Sequence, residues 1–106
     1  MRIQFKTEGG IAYFPGLSKP VVIDTDELPT EEASELERLI ETAGFFTLPA
    51  VIAPPRGAAD YRRYTISVTA PGHSHTVQLT DPVEDPHLQA LLGYLKAKAR
   101  ELRAAP

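Results

Sequence analysis

The chain has 106 residues, no cysteine and a formal net charge of −3. This length suits one domain, the lack of cysteine excludes a disulfide framework or a thiolate metal site, and mild acidity without a basic cluster argues against a nucleic-acid partner. No stretch is long enough to cross a membrane, and the first residues lack the apolar run of a signal peptide. We therefore expect a single cytoplasmic domain over residues 1–106 without a membrane partner, although export by another route stays open.

Two short strands are predicted before the first helix. Ile3 and Phe5 alternate with polar residues over Arg2–Lys6, which is the pattern of a half-buried strand. A run of three β-branched residues lies in Lys19–Asp24, bounded by a proline and an aspartate. Because the two runs are close in sequence, we expect them to pair as a hairpin.

A helix is predicted after the second strand. Thr30 has the side chain of an N-cap, and glutamates follow it in the first turn, where the helix dipole favours negative charge. Gly44 supplies the C-terminal stop. The residues that recur at helical spacing and should be buried are Ala33, Leu36, Leu39, Ile40 and Ala43. Three further residues should anchor the chain in the core after the helix: Phe45, Phe46 and Leu48.

The second half of the chain predicts another hairpin and another helix. Arg62–Thr69 alternates cleanly, a Pro-Gly turn follows, and His75–Thr80 returns. Asp85 suits the N-cap of the last helix and Pro86 its first position, and the apolar stripe of that helix comprises Leu88, Leu91, Leu92, Leu95, Ala99 and Leu102. The fold class is therefore α+β, a four-stranded mainly antiparallel sheet with two helices in the order ββαββα. The predicted core consists of Ile3, Phe5, Val22, Leu36, Leu39, Ile40, Phe45, Phe46, Ile66, Val68, Val77, Leu79, Leu88, Leu91, Leu92 and Leu95.

Two connections differ from ordinary loops. Glu8–Gly16 is held by glycines yet carries four apolar residues in a row, Ile11–Phe14. Such a tip is costly in water, so it either folds back under a helix of its own domain or protrudes as a contact loop. Pro49–Asp60 is restricted by prolines and bent by a glycine, so neither a helix nor a central strand is expected there. If the first helix crosses the whole sheet, alternating strand directions place both loops at one end of the molecule.

The polar residues form no recognisable catalytic or metal-binding motif. His73 and His75 share one face of a strand, but zinc needs a third and usually a fourth ligand, which nothing nearby supplies. The paired carboxylates lie where turns and helix starts favour them. We therefore predict that the chain is not an enzyme and has no cofactor and no metal of its own. Asp60 differs because it ends a restricted loop directly before a strand, where it is either a turn residue or a carboxylate offered to a partner.

Short segments over nearly the full length carry a resemblance to a known family. They are Gly9-Gly10-Ile11-Ala12, Val22-Ile23-Asp24-Thr25-Asp26-Glu27-Leu28-Pro29, Glu31-Glu32-Ala33, Leu36-Glu37-Arg38-Leu39-Ile40, Phe45-Phe46-Thr47-Leu48-Pro49, Asp60, Tyr64-Thr65-Ile66, His75-Thr76-Val77, Asp81 and Leu91-Leu92. In this order and at this length, the chain resembles the emfourin family, small bacterial protein inhibitors of thermolysin-like zinc metalloproteases such as protealysin. The resemblance implies a reversible inhibitor that plugs the protease cleft without being cut.

The resemblance also implies which residues make the contact. In that family two adjacent loops meet the enzyme, one with apolar residues and the other with an aspartate directed to the catalytic zinc. Carried onto this sequence, the protease-contacting residues are Gly10, Ile11, Ala12, Tyr13, Phe14, Ala59 and Asp60. Asp60 is the natural zinc-directed carboxylate, and Asp81 is its rival. The sequence departs from the family at Tyr13-Phe14-Pro15, where relatives have a shorter, glycine-rich tip.

A second hypothesis from another class stays open beside the inhibitor. The apolar loop over residues 9–16 would then mediate docking or dimerisation of a non-inhibitory binding module. For the inhibitor we expect a monomer when free, with a thermolysin-like zinc metalloprotease as the partner. A titration against such a protease separates the two hypotheses.

Overall fold

Alternating apolar and polar residues build the strands, and two amphipathic helices cover the apolar face of the resulting sheet. The structure, a computed structural model, describes residues 1–9, 20–52, 62–80 and 83–104. Its strands are β1 (Arg2–Gly9), β2 (Val21–Asp24), β3 (Val51–Ile52), β4 (Arg62–Ala70) and β5 (His73–Thr80). Its helices are α1 (Thr30–Thr42) and α2 (Pro86–Ala104), with short 3-10 turns at Thr25–Glu27 and Phe45–Thr47.

The five strands form one mixed sheet in the order β2-β1-β4-β5-β3. All neighbours are antiparallel except β3, which runs parallel to β5 with Val51 opposite Gln78. The prediction of four mainly antiparallel strands therefore missed one strand, β3, which lies near the start of the Pro49–Asp60 connection and at the edge of the sheet rather than in its centre. A strand of two residues shows no alternation to detect, and Pro49 precedes it at the sheet edge, where proline is tolerated.

Strand register decides which face each residue occupies. Ile3 lies opposite Ile23 on one side and Val68 on the other, and all three are buried. Val22 was predicted to belong to the core, but it lies opposite Gln4 and is 43% exposed. Three β-branched residues in a row hide the alternation of β2, so only the pairing with β1 shows which of them point inward.

The covered face of the sheet and the two helices share one hydrophobic core. Most predicted members are buried, although Leu39 and Phe46 are only partly so. Tyr64, which the prediction left out, is a fully buried core residue at 1% exposure. The buried core comprises Ile3, Phe5, Val21, Ile23, Leu36, Ile40, Phe45, Tyr64, Ile66, Val68, Val77, Leu79, Leu88, Leu91, Leu92, Leu95 and Ala99.

Local chemistry explains where the helices begin and end. Thr30 was predicted as the N-cap of α1 but is its first helical residue, because Pro29 takes the cap position without a side-chain hydrogen bond. Gly44 follows α1 in the left-handed conformation at φ 63°, which confirms the predicted stop. The predicted cap of α2 is also confirmed, since Asp85 Oδ1 accepts hydrogen bonds from the backbone N–H groups of His87 (2.8 Å) and Leu88 (3.3 Å).

The apolar stripe of α2 is buried only as far as Ala99. Leu102 was predicted to lie on this stripe as well, but it is 43% exposed. Helical spacing identifies the apolar face of a helix, but it does not show how far the neighbouring layer covers that face. The last predicted position of the stripe is therefore corrected to a surface position.

Candidate functional site

The register of the central strands shows where the two unusual connections are attached. β1 ends at Gly9, and Gly9 lies directly opposite Arg62, the first residue of β4. The segment 10–19 therefore leaves the sheet beside the point where the segment 53–61 rejoins it. Neighbouring strands lie about 5 Å apart, so the two attachment points are immediate neighbours.

The outer strands end at the same side of the sheet. Thr80, the last residue of β5, lies opposite Arg63, and Ile52, the last residue of β3, lies opposite Leu79. The segments 10–19, 53–61 and 81–82 are thus all attached at one end, which we call the loop-bearing end. This arrangement supports the expectation that the two long connections share one end of the molecule.

The chain reaches the loop-bearing end by a different route from the one expected. We expected α1 itself to cross the sheet and return to that end. Instead, the turn after α1 packs at the start of β5, with the Phe46 ring centroid 4.2 Å from that of His73 and the Phe45 centroid 5.7 Å from that of His75. The chain then runs parallel to β5 through β3, where Ala50 O accepts a 2.8 Å hydrogen bond from the backbone N–H of Gln78.

The residues predicted to contact a protease lie outside the described part of the chain. They are Gly10, Ile11, Ala12, Tyr13, Phe14, Ala59 and Asp60, together with the rival carboxylate Asp81. What the structure describes is the frame that carries them, namely the paired ends of β1, β4 and β5. Their roles remain predictions from the sequence.

A stack of three side chains supports the loop-bearing end from within. The rings of Phe5 and Tyr64 are parallel within 9°, with centroids 5.9 Å apart. Lys96 reaches from α2 to place its Nζ 4.7 Å from the centroid of the Tyr64 ring, a cation–π contact. We call these three residues the aromatic clamp. This clamp was not predicted from the sequence. The alternation of β4 pointed Tyr64 inward, but no local signal linked it to Lys96, which is 32 positions away (96 − 64).

The two histidines lie at the opposite end of the sheet and have packing roles there. His75 Nε2 is 2.7 Å from the backbone oxygen of Leu48. Because a carbonyl oxygen only accepts, Nε2 carries the proton and donates. His73 packs edge-on against Phe46. Among the described residues, no group of three or more histidine, aspartate or glutamate side chains is placed to hold a metal ion.

An ionic cluster joins the two helices. Lys98, whose side chain is 9% exposed, lies 3.3 Å from Glu32 Oε2 and 3.7 Å from Glu101 Oε1. Burial by itself lowers the pKa of Lys98, but the hydrogen bond with Glu32 and the charges of Glu101 and Glu32 outweigh it, so the pKa is raised above its ordinary 10.5. This cluster ties α1 to α2.

Tyr94 adds a second titrating group to the same cluster. Its hydroxyl is buried and has no hydrogen-bond partner in the part of the chain that the structure describes. Burial raises the pKa of Tyr94 above its ordinary 10.0; the charge of Lys98 opposes this rise, and that of Glu32 adds to it. Folding therefore makes both Tyr94 and Lys98 hold their protons more tightly.

Comparison with known protein families gives a match over most of the chain. A family model described as Emfourin matches residues 5–96, which is most of the chain. The match begins at Phe5 in β1 and ends at Lys96 in α2, so it includes both long connections and the whole sheet except the start of β1. No curated protein and no solved structure matches. No helix in the described ranges combines the length and the hydropathy that a membrane span requires.

Proposed function

The chain belongs to the Emfourin family, a family of metalloprotease inhibitors, and from this premise we propose that it inhibits a thermolysin-like zinc metalloprotease by plugging the active-site cleft. The observation that supports this mode most directly is the pairing of Gly9 with Arg62. That pairing attaches an apolar segment and a carboxylate-bearing segment side by side on a rigid sheet.

The apolar segment supplies the first half of the proposed contact. Ile11–Phe14 offers bulky side chains between glycines, and thermolysin-like enzymes favour a bulky apolar residue just after the cleaved bond. Ile11, Tyr13 or Phe14 would fill that pocket. A well-packed apolar anchor is the usual centre of a tight protein interface.

Asp60 supplies the second half. A catalytic zinc keeps one coordination position open for water, and a carboxylate oxygen is a suitable replacement for that water. An enzyme whose zinc carries the inhibitor's carboxylate has lost the nucleophile it needs for hydrolysis. The zinc in this mechanism belongs to the target enzyme, and the residues of this chain only bind it.

The decisive measurement is a titration of a thermolysin-like protease with this protein, followed with a peptide substrate. We expect reversible inhibition that competes with the substrate. Asp60→Asn keeps the shape but removes the charge that a dication favours. It should therefore weaken inhibition by at least about tenfold, or roughly 1.4 kcal/mol, with little effect on folding.

Asp81→Asn is the matched control for the same chemical change at the same end of the sheet. It should leave the inhibition constant close to that of the wild type if Asp60 is the zinc-directed carboxylate. The reverse result would assign that role to Asp81. If neither variant changed the inhibition constant, the zinc contact would be excluded, although the apolar segment could still plug the cleft. If the wild-type protein does not inhibit at all, sedimentation of the protein alone tests the alternative of a docking or dimerisation module.

A further inference from the structure

We propose that Lys96 is a positioning residue of the loop-bearing end. By holding its ammonium over the Tyr64 ring, it fixes α2 against the ends of β1 and β4 and so fixes the spacing of the two segments that leave them. This inference rests on the proposed function for its consequence in binding. Its second consequence, a firmer hold on the ends of β1 and β4 in the free protein, rests on the described contacts alone.

The aromatic clamp lies close to both attachment points, a few residues further into the sheet. Tyr64 is two positions after Arg62 in β4, and its partner in β1 is Thr7, two positions before Gly9. Phe5, which stacks on Tyr64, is the next inward-facing residue of β1 before Thr7. One buried ring therefore contacts the two strands whose ends carry the segments 10–19 and 53–61.

Lys96 differs from Lys98, its close neighbour on α2. Lys98 makes ion pairs with Glu32 and Glu101 and so ties one helix to the other. Within the described ranges Lys96 has no such ion pair, and its charge lies over an aromatic ring of the sheet. The positive charge of Lys96 is therefore used to hold a helix onto the strand ends, and that of Lys98 to hold the two helices together.

Rigid attachment matters because an inhibitor that holds its loops in the bound arrangement loses less conformational entropy on binding. Loosening the strand ends should leave encounter with the enzyme nearly unchanged and should speed dissociation, since most affinity differences within one interface are differences in dissociation rate. A positioning role thus predicts faster dissociation together with looser strand ends in the free protein. If Lys96 instead contacted the enzyme directly, its loss would speed dissociation without changing the free protein.

The test compares three variants. Lys96→Met keeps a long apolar side chain but removes the charge, Lys96→Arg keeps a cation that also stacks on aromatic rings, and Lys98→Met makes the same chemical change two positions along the helix. Each variant is measured in three ways: melting temperature, dissociation rate from a thermolysin-like protease, and hydrogen exchange of the backbone amides in Thr7–Gly9 and Arg62–Tyr64 of the free protein.

We expect Lys96→Met to speed both dissociation and hydrogen exchange by roughly twofold to fivefold, the range of a cation–π contact at a partly exposed site. Lys96→Arg should restore both values. Lys98→Met should lower the melting temperature at least as much as Lys96→Met does. It should leave the dissociation rate and the hydrogen exchange of these amides unchanged. This pattern would separate a positioning role from a general loss of stability.

Three results would overturn the inference. Unchanged exchange at the strand ends in Lys96→Met would show that the contact positions nothing, even if dissociation were faster, because Lys96 would then act on the enzyme directly. Equal effects of Lys96→Met and Lys98→Met would show only a loss of stability. If Lys96→Arg changed dissociation and hydrogen exchange as much as Lys96→Met does, the positive charge at this position would have no role. If the wild type does not inhibit, the proposed function fails, and hydrogen exchange in the free protein still decides the positioning role.

Discussion

The two ends of the sheet are built in opposite ways. At the end away from the long segments, Gly72, at φ 86°, allows β4 and β5 to join through a tight turn, and Thr25 donates both its backbone N–H and its hydroxyl to Met1 O at 3.0 and 3.2 Å. His75 binds the backbone oxygen of Leu48 at the same end. At the loop-bearing end, by contrast, β1 and β4 open into the segments 10–19 and 53–61.

Together with the proposed function, this difference predicts that stability and binding are separated within one small domain. A tight turn and hydrogen bonds between residues distant in sequence close one end and fix the sheet. If the long connections at the other end carry the contact residues, as proposed, they can vary with the partner without disturbing the packing of the scaffold. Substitutions at the core or the closed end should therefore lower the free energy of unfolding, and substitutions in the segments should weaken inhibition.

The largest loss of stability is expected in the core. Leu91 is fully buried, so Leu91→Ala should lower the free energy of unfolding by roughly 2–5 kcal/mol, measured by chemical denaturation. Leu102→Ala on the same helix is the matched control, and it should cost much less because Leu102 is exposed. The folded fraction of Leu91→Ala should inhibit normally. A loss below about half a kcal/mol would mean that α2 does not pack as described.

Leu39 was predicted to be a core residue like Leu91, and the structure revises that prediction. Leu39 packs against the core but is only partly buried. Leu39→Ala should therefore lower the free energy of unfolding by less than Leu91→Ala, because fewer contacts are lost and water fills part of the space. The same denaturation series measures both.

The loop-bearing end should respond in the opposite manner. Phe14→Ala and Tyr13→Ala should weaken inhibition by roughly tenfold or more, about 1.4 kcal/mol each, if these rings are anchors of the interface. Their melting temperatures should stay near that of the wild type. A large drop in melting temperature with intact inhibition would instead place the apolar segment in the domain's own core and would end the contrast between the two ends.

A smaller effect is expected at the closed end. His75→Phe keeps a ring against Phe45 but removes the donor to Leu48 O, so it should cost about 1 kcal/mol of unfolding free energy. His73→Phe is the matched control, since the His73 side chain packs against Phe46 and makes no hydrogen bond to another described residue. Neither change should alter inhibition. Weaker inhibition by folded His75→Phe would show that the anchoring of residues 45–48 is transmitted through β3 to the segment 53–61.

Local chemistry made much of this fold predictable. Asp85 followed by Pro86 marks a helix start in the sequence itself, and Gly44 marks a helix end, so both were confirmed. The features that were missed depend on residues distant in sequence. β3 exists only because Gln78 and Leu79 are beside it, and Val22 is exposed because of its register with β1.

The candidate site was predictable to a different extent. Its composition was visible, because an apolar run between glycines and a lone aspartate before a strand are unusual locally. Its frame was only partly visible, since the pairing of Gly9 with Arg62 joins residues 53 positions apart (62 − 9). The contact of Lys96 with Tyr64 had no signal, because a lysine on the polar side of a helix is ordinarily solvated.

The smallest effect concerns the titration of the cluster between the helices. A group whose pKa is raised by folding stabilises the native state fully below its unfolded pKa, and that contribution is lost as the pH rises through the folded pKa. Lys98 and Tyr94 both have raised pKa values, with ordinary values of 10.5 and 10.0, so stability should hold up to about pH 10 and decline above it. The loss should be modest, because solvent screens Glu32 and Glu101.

Two variants assign this decline to its groups. Lys98→Met should be less stable than the wild type at about pH 9, and the difference should shrink by about pH 11, where the ion pairs of the wild type are being lost. Tyr94→Phe removes a buried hydroxyl that has no partner among the described residues, so it should be neutral or slightly stabilising near neutral pH and should decline less steeply above pH 10. Chemical denaturation across this pH range measures both. A decline that is identical in the wild type and both variants would trace the alkaline sensitivity to other groups, and the helix pair would then contribute to stability through packing alone.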